Sequence, residues 1–265
     1  KVYLKVPRKN GKSILAAGIG LYMFAADNEF GAEVYSGATT EKQAWEVFRP
    51  ARLMAKKTPA LIEHFGMEVN ASNINILADE SRFEPLIGNP GDGASPHCAI
   101  VDEVHEHKDG RLLDTMITGM GAREQPMLLA ITTAGDNLAG VCYEMEIDAQ
   151  RMLDGVIDDD ETFALMYGID KDDDWSTLES AIKANPNYGV SVFDDFINAR
   201  LNDAKNNARK QSTYKTKHLH QWVGARNAYF NVEKWKANGD DSLNLADFKG
   251  EQVYIGLDLA SRVDV

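Results

Sequence analysis

The chain has 265 residues, of which 44% are hydrophobic and 26% are charged, so it is long enough to bury a sizeable core in one large domain or two modest ones. It contains no run of about 18 apolar residues, which excludes a membrane-spanning helix. A net charge of −13 argues against a surface that wraps nucleic acid non-specifically over its whole extent. Cys98 and Cys142 lack the spacing of metal ligands or of a disulfide framework, so we expect buried thiols in a reducing cytoplasm.

The charge is distributed unevenly along the chain. Residues 144–174 hold twelve Asp or Glu and two Lys or Arg, a local charge of −10. Residues 200–226 hold seven Lys or Arg and one Asp, a local charge of +6. Solvated surface would account for both segments. The alternative for the basic segment is a contact with a polyanion or with an acidic neighbour.

The first motif lies near the start of the chain. Alternating apolar residues at 2–6 predict a strand, and an Ala/Leu/Ile-rich stretch at 13–26 predicts a helix, with Gly11-Lys12-Ser13 at the turn between them. This arrangement is typical of a phosphate-binding loop. N–H groups at the start of the helix bind the anion, Gly11 permits close approach, Lys12 reaches the β- and γ-phosphates, and the Ser13 hydroxyl ligates Mg²⁺.

The motif departs from the usual P-loop pattern. That pattern has a glycine five positions before Gly11, and Val6 stands there instead. Arg8 and Lys9 add two more cations to the loop. The alternative is therefore an ordinary basic turn. Because the chain opens inside the predicted strand and without Met, we also expect a preceding segment.

The sequence of residues 33–87 predicts four strands and two helices. The strands are at 33–37, 67–70, 74–77 and 82–87, the middle two forming a hairpin. A helix runs from Thr39 or Thr40 to Lys57, followed by a short helix after Pro59, and Pro50 is expected to kink or break the first. Its predicted inward residues are Trp45, Phe48, Leu53 and Met54.

The second motif is an apolar run at 98–101 that ends in Asp102 and Glu103. This pattern predicts a buried parallel strand with carboxylates at its C-terminal end, where open α/β sheets bind their ligands. Asp102 would hold Mg²⁺ through water and Glu103 would polarise an attacking water. A solvated strand end is the alternative. His105 and His107 favour a polar loop near the nucleotide over a metal site.

The next segment predicts a third motif. A helix at 109–118 leads to a glycine-rich connection with Arg123, and a strand at 127–133 ends in Thr132-Thr133. Hydroxyls at this strand tip are placed to sense a γ-phosphate or its water, although threonine is also simply a good strand former. A helix at 139–153 and a strand at 162–169 follow.

The pattern changes after residue 174. Helices are predicted at 176–184, 192–209 and 212–223, with Asn185-Pro186-Asn187 as a break, which describes a lid-like helical appendage. A linker with a short helix at 232–236 precedes an apolar strand at 252–259. Asp258 lies within that strand. Because an inward carboxylate is costly unless it is paired or metal-bound, Asp258 is a candidate site residue.

Together these motifs resemble the large terminase subunit of tailed bacteriophages, the ATP-driven DNA-packaging motor. The resemblance rests on residues 7–13, 101–105, 131–135 and 256–259, whose order matches that family across nearly the whole chain. It implies an α/β P-loop NTPase fold of the additional-strand, catalytic-glutamate type, with a mostly parallel sheet and flanking helices. The implied divisions are an ATPase core at 1–174, a helical lid or linker at 175–249, and the first strand of a ribonuclease-H-like nuclease at 250–265.

The resemblance also implies roles for the site residues. The nucleotide-binding residues are Arg8, Lys9, Asn10, Gly11, Lys12, Ser13 and Asp102, of which Ser13 and Asp102 hold the Mg²⁺ of Mg²⁺–ATP and Arg8 is an additional phosphate-facing cation. Glu103 is the catalytic base, and Thr132 and Thr133 couple hydrolysis to movement. Arg123, or less favourably Arg82, is the arginine finger that a neighbouring subunit supplies, unless both form ordinary salt bridges.

The family's nuclease uses two divalent metals, Mg²⁺ or Mn²⁺. Asp258 resembles its first metal ligand and Asp264 is a weaker candidate. The chain ends before the other acids, so we expect this fragment not to cut DNA. The implied partners are double-stranded DNA, the viral portal, the small terminase subunit and further copies in a ring, with a monomer when alone, no membrane, and the host bacterial cytoplasm as location. Only the pore face of such a ring must be basic.

Two rival functions remain open from the sequence. Asp102-Glu103-Val104-His105 matches a DExH box, as in superfamily 2 helicases, but residues 150–265 do not resemble the second ATPase lobe that such enzymes need. The other rival is a nucleotide-binding assembly module with no turnover of its own.

Overall fold

A computed structural model describes residues 1–86 and 93–223, together with 238–239, 244, 248–250 and 252. Its contacts divide the chain into two units, Lys1–Ala228 and Tyr229–Val265. Every element below belongs to the first unit. The predicted helix at 232–236, the predicted strand at 252–259 apart from its first residue, Asp258 and Asp264 lie outside the described residues.

The first unit is built on one mixed, mostly parallel sheet. Its strands are β1 (Val2–Lys5), β2 (Glu33–Gly37), β3 (Met67–Val69), β4 (Ile74–Ile76), β5 (Ser81–Leu86), β6 (Cys98–Asp102), β7 (Met127–Thr132) and β8 (Phe163–Met166). They are ordered β3-β4-β5-β2-β6-β7-β1-β8, and only the β3–β4 and β4–β5 pairs are antiparallel. Strand β7, which carries Thr132, therefore lies between β1, which precedes the Gly-Lys-Ser loop, and β6, which ends in Asp102, as predicted.

Helices alternate with these strands in the predicted order. They are α1 (Lys12–Ala25), α2 (Glu41–Lys57), α3 (Pro59–Phe65), α4 (Arg111–Gly119), α5 (Val141–Leu153), α6 (Leu178–Ala184), α7 (Asp194–Asn206) and α8 (Ala208–His218). Short 3-10 turns follow β6 at Val104–Glu106 and α4 at Met120–Ala122. In the part of the chain that is described, no helix is both long and apolar enough to cross a bilayer.

Helix α2 differs from its prediction in two respects. Thr40 caps it by accepting a hydrogen bond from Gln43 N–H, but the helix continues through Pro50 instead of breaking there. Leu53 is 52% exposed, so its predicted inward position is wrong. The buried stripe follows the helical period through Val47, Phe48, Ala51 and Ala55, and Leu53 falls outside that stripe.

Alternating side chains of the central strands build a core on each face of the sheet. On one face, α1 and α2 pack over Ile100 and Phe83, and α1 approaches so closely that a Cβ on Gly20 would lie 2.9 Å from either side chain. On the other face, α4 and α5 cover Val101 and Leu128. Helices α6–α8 form a third cluster of their own around Ile197 and Tyr214. Burying both faces explains why the central strands read as continuous apolar runs.

Candidate functional site

The loop between β1 and α1 has the backbone of an anion-binding turn. Gly11 caps α1 with a left-handed φ of 82°, which glycine adopts without strain. Lys12 is only 9% exposed, and its Nζ donates a hydrogen bond to the Val6 carbonyl at 2.9 Å. Burial lowers the pKa of Lys12 from its usual range, while the charges of Glu103 and Asp102 act in the opposite direction. The lysine thus braces the loop at the position where the usual glycine is missing.

Two carboxylates lie at the C-terminal end of β6. Asp102 is 4% exposed, and burial together with the neighbouring Glu103 charge raises its pKa to about 7. Glu103 has a left-handed φ of 49°, and its N–H donates to Asp102 Oδ1 at 2.8 Å. Left-handed backbone costs a non-glycine residue about 1–2 kcal/mol. Such strain concentrates at functional positions.

A cavity of about 570 Å³ brings the two motifs together. Of the predicted nucleotide and catalytic residues, it is lined by Arg8, Lys9, Gly11, Lys12, Ser13, Asp102 and Glu103. Gln43 and Glu46 of α2 and Asn187 and Ser191 of the helical segment, residues 175–223, also line it. The cavity therefore presents backbone N–H groups, three cations and three carboxylates to one space, which suits a phosphorylated ligand with a divalent cation.

Asn10 is the exception among the predicted nucleotide-binding residues, because it does not line the cavity. Its side-chain amide donates to the Pro7 carbonyl at 3.1 Å and to Asn185 Oδ1 at 2.8 Å. Its Oδ1 accepts a hydrogen bond from Asn187 N–H at 3.0 Å. Asn10 therefore joins the phosphate loop to the turn between α6 and α7.

Thr132 and Thr133 are fully buried at the tip of β7, next to the turn that follows Glu103. Thr132 Oγ1 donates to the Thr133 carbonyl at 2.9 Å and lies 3.1 Å from His105 Nδ1. Thr133 Oγ1 lies 3.5 Å from the same ring nitrogen. Glu103 Oε2 is 3.2 Å from it. The threonines thus reach the candidate base through His105, whose involvement the sequence did not predict.

Arg123 lies at the amino-terminal edge of the sheet, opposite the cavity, since it bonds residues that precede β2 and β6. Its guanidinium donates to Glu29 Oε1 at 3.1 Å and to the carbonyls of Phe30, Gly31 and Ser95. The side chain is 11% exposed. These contacts favour a structural role for Arg123, which was the alternative to the role of an arginine finger.

Arg82 occupies the same edge. It donates to the Tyr35 hydroxyl at 2.7 Å and pairs with Glu33 at 3.1 Å. The finger role of either arginine stays a prediction, because such a group would act on a neighbouring copy.

The helical segment contacts the loop at several further points, which sequence reasoning missed. The Ser191 hydroxyl donates to the Lys9 carbonyl, and Arg8 N–H donates to the Lys217 carbonyl at 3.2 Å. Asn185 is buried, and its amide also bonds the His218 carbonyl at 2.9 Å. The Asn-Pro-Asn sequence was the available signal, but it indicated only a helix break.

His105 and His107 are not brought together as metal ligands. The ring of His107 faces the Asp102 carbonyl, with Nε2 3.3 Å from the oxygen. Within residues 1–86 and 93–223, no group of three or more His, Cys, Asp or Glu side chains is arranged to hold a metal on its own.

The parallel sheet, the Gly-Lys-Ser loop at the start of α1 and the acids at the end of β6 define a P-loop NTPase fold. Residues 1–151 match the family model of the terminase large subunit ATPase domain, and residues 156–265 match that of the terminase large subunit endonuclease domain. The chain therefore belongs to the terminase large-subunit family.

Two curated proteins are similar to the chain in sequence. The chain is 49% identical to Protein YmfN of Escherichia coli K12 over 200 residues, covering 76% of this chain and 44% of YmfN. It is 28% identical to the terminase large subunit of Enterobacteria phage HK97, covering 99% of this chain and 51% of that one. The chain thus spans about half the length of these relatives.

Solved structures match the fold. The crystal structure of the HK97 bacteriophage large terminase superposes with a TM-score of 0.73 at 27% identity, over 83% of this chain and 46% of that one. The large terminase of a thermophilic bacteriophage, solved in complex with ATP-gamma-S, superposes with a TM-score of 0.52 at 12% identity, over 84% of this chain and 47% of that one. This second likeness concerns the fold alone.

Proposed function

We propose that this chain is the ATP-hydrolysing part of a motor that moves double-stranded viral DNA into a procapsid. The observation that carries the proposal is the cavity in which Lys12 and Ser13 face Asp102 and Glu103. Membership of the terminase large-subunit family supports the DNA substrate. The ATP-gamma-S complex of a large terminase with the same fold supports the choice of nucleotide.

The loop residues bind the phosphates in this proposal. Lys12 exchanges its bond to the Val6 carbonyl for the β- and γ-phosphates, and Arg8 and Lys9 add charge at the mouth of the cavity. Gly11 leaves room for the phosphates beside the backbone. Asn10 holds the loop in shape through Pro7 rather than touching the ligand, which refines its predicted role.

Magnesium fits the donor set of the cavity. Asp102 is a buried carboxylate whose pKa is raised to about 7, so a nearby cation would favour its ionised form. Ser13 and Asp102 would hold the ion, Asp102 through water. The bound ion supplies charge neutralisation for the phosphate oxygens. Glu103, at the cavity wall, orients and polarises the attacking water as the general base.

The remaining roles follow the family. Thr132 and Thr133 couple hydrolysis to movement, consistent with their place between β1 and β6 and beside the turn that carries Glu103. The partners are the portal, the small terminase subunit and further copies in a ring, with a monomer when alone, in the host bacterial cytoplasm. Asp258 belongs to a two-metal nuclease site that uses Mg²⁺ or Mn²⁺.

The rival functions are less well supported. The two family matches together span most of the chain and leave no segment that resembles a second helicase lobe. The substitution Glu103→Gln distinguishes a motor from an assembly module that has no turnover of its own. A motor with this substitution binds ATP and assembles but packages no DNA, with hydrolysis reduced by about 10²–10⁴-fold. Unchanged packaging would favour the module.

The first experiment is Mg²⁺-dependent ATP binding by calorimetry, because turnover requires neighbours and binding does not. We expect the parent protein to bind and Lys12→Ala not to bind. Lys56→Ala, in the last turn of α2 and away from the cavity, is the control that keeps the parent affinity. Equal binding by Lys12→Ala, or no binding by the parent, would contradict the assignment of the loop.

A further inference from the structure

Helix α8 carries one residue that contacts two parts of the candidate site. Lys217 Nζ lies 3.0 Å from His105 Nε2. The carbonyl of the same residue accepts the hydrogen bond from Arg8 N–H in the phosphate loop. His105 belongs to the 3-10 turn that begins directly after Glu103. The helical segment therefore touches both the loop and the turn beside the candidate base through Lys217.

His105 Nε2 has Lys217 Nζ at 3.0 Å and Glu106 Oε1 farther away, at 3.7 Å. The nearer contact, with Lys217, determines which nitrogen of His105 carries the proton. An ammonium group donates hydrogen bonds and cannot accept them, so Nε2 is the acceptor and a neutral ring carries its hydrogen on Nδ1. Thr132 Oγ1 gives its own hydrogen to the Thr133 carbonyl, so it acts as an acceptor toward the ring. The Nδ1–H consequently faces two acceptors, Thr132 Oγ1 at 3.1 Å and Glu103 Oε2 at 3.2 Å.

The orientation of the Glu103 carboxylate depends on His105 more than that of an exposed carboxylate would. Its Oε2 is buried and accepts no well-aligned hydrogen bond from the described part of the chain. His105 is itself enclosed, with a side-chain exposure of 0%. A ring N–H held next to the carboxylate therefore limits where the carboxylate can lie. With hydrogen on Nε2 instead, the Nδ1 lone pair would lie 3.2 Å from the carboxylate oxygen, with no hydrogen between the two atoms.

We propose that Lys217 is a positioning residue for Glu103 and acts by fixing the tautomer of His105. Docking of the helical segment would then complete the hydrolytic site as well as hold the phosphate loop. The proposal rests on the ATP hydrolysis proposed above, and it adds a residue far from both motifs in sequence. It makes hydrolysis conditional on the docked segment, since Lys217 reaches the ring only when α8 lies against the loop.

Kinetics give the first test. Lys217→Met keeps most of the side-chain volume but removes the ammonium, and we expect kcat for ATP to fall about 10- to 100-fold with KM within about two-fold of the parent, because positioning and not binding is lost. Lys217→Arg, which still donates to the ring, retains most of the activity. The control is Lys183→Met, on α6, where the lysine pairs with Asp170 and Asp173 and not with a residue of the candidate site. An unchanged kcat, or a raised KM with unchanged kcat, would overturn the proposal.

The second test does not depend on turnover. In protein labelled with ¹⁵N-histidine, the ring nitrogen shifts of His105, assigned with His105→Gln, report which nitrogen is protonated. We expect Nδ1–H in the parent and a gain of Nε2–H in Lys217→Met. Nε2–H in the parent would refute the positioning role even if ATP is hydrolysed. A parent with Nδ1–H that hydrolyses no ATP in any assembly would instead refute the proposed function.

Discussion

Replacement of Arg123 by alanine distinguishes a structural role of this arginine from a catalytic one. The guanidinium pairs with Glu29 and bonds three backbone carbonyls in two other loops, and the two paired side chains are only 11% and 16% exposed. Hydrogen bonds to charged groups contribute about 1.5–3 kcal/mol each and are not additive. Removing one partner of a buried pair costs about 3–5 kcal/mol. We therefore expect Arg123→Ala to lower the free energy of unfolding by about 3 kcal/mol.

Thermal unfolding followed by circular dichroism measures this loss. At about 2–4 °C per kcal/mol for a unit of this size, the melting temperature should fall by about 6–12 °C. Arg111→Ala is the matched control, because its ion pair with Asp109 is exposed and solvent screening leaves such pairs with little effect on stability. A variant with the parent melting temperature that loses ATP hydrolysis only in assembled protein would refute the structural role and identify Arg123 as a finger.

Three further predictions test the site and the core. Because the folded-state pKa of Asp102 lies above 3.8, ionisation of Asp102 destabilises the ligand-free fold increasingly from about pH 4 to pH 7. Asp102→Asn should therefore raise the free energy of unfolding by up to about 4 kcal/mol at pH 8 and leave it unchanged below about pH 4. Urea titrations that show an equal gain at both pH values would contradict the burial argument. Gly20→Ala should lower the free energy of unfolding by about 1–3 kcal/mol, because the added Cβ clashes with side chains of the sheet. Gly18→Ala should stabilise α1 by about 0.5–1 kcal/mol, because a Cβ there would meet no atom within 4 Å. The reverse order of melting temperatures would disprove this packing. Glu146→Ala leaves the buried ammonium of Lys5 unpaired and should cost about 3–5 kcal/mol by denaturant unfolding, and replacing Lys5 by Met in that variant should restore most of the loss.

The order of elements was predictable because each depends on local periodicity. Strands β1, β2, β6 and β7 appear within one or two residues of their predicted positions, since a strand buried on both faces is a continuous apolar run. The phosphate loop and the Asp102-Glu103 pair follow from the same signals, because each lies where a strand ends.

Long-range contacts were not predictable in this way. Asn10 and Asn187 are 177 residues apart, and His105 and Lys217 are 112 apart. No short pattern encodes such pairs, because their meeting depends on how the helical segment packs. Arg123 shows the same limit. Its glycine-rich surroundings indicated flexibility, whereas its contacts with Glu29 and Ser95 tie three loops together.

Strand β8 has a practical consequence for cutting this protein into pieces. The ATPase family match ends at residue 151 and the endonuclease match begins at 156, yet β8 pairs with β1 at the edge of the ATPase sheet. Truncation at about residue 155 would leave β1 as a bare edge, ready to pair with other chains, and would strip α6–α8 from the phosphate loop. An isolated ATPase piece that keeps residues 1–223 retains both, so sequence-family boundaries are the wrong place to divide this chain.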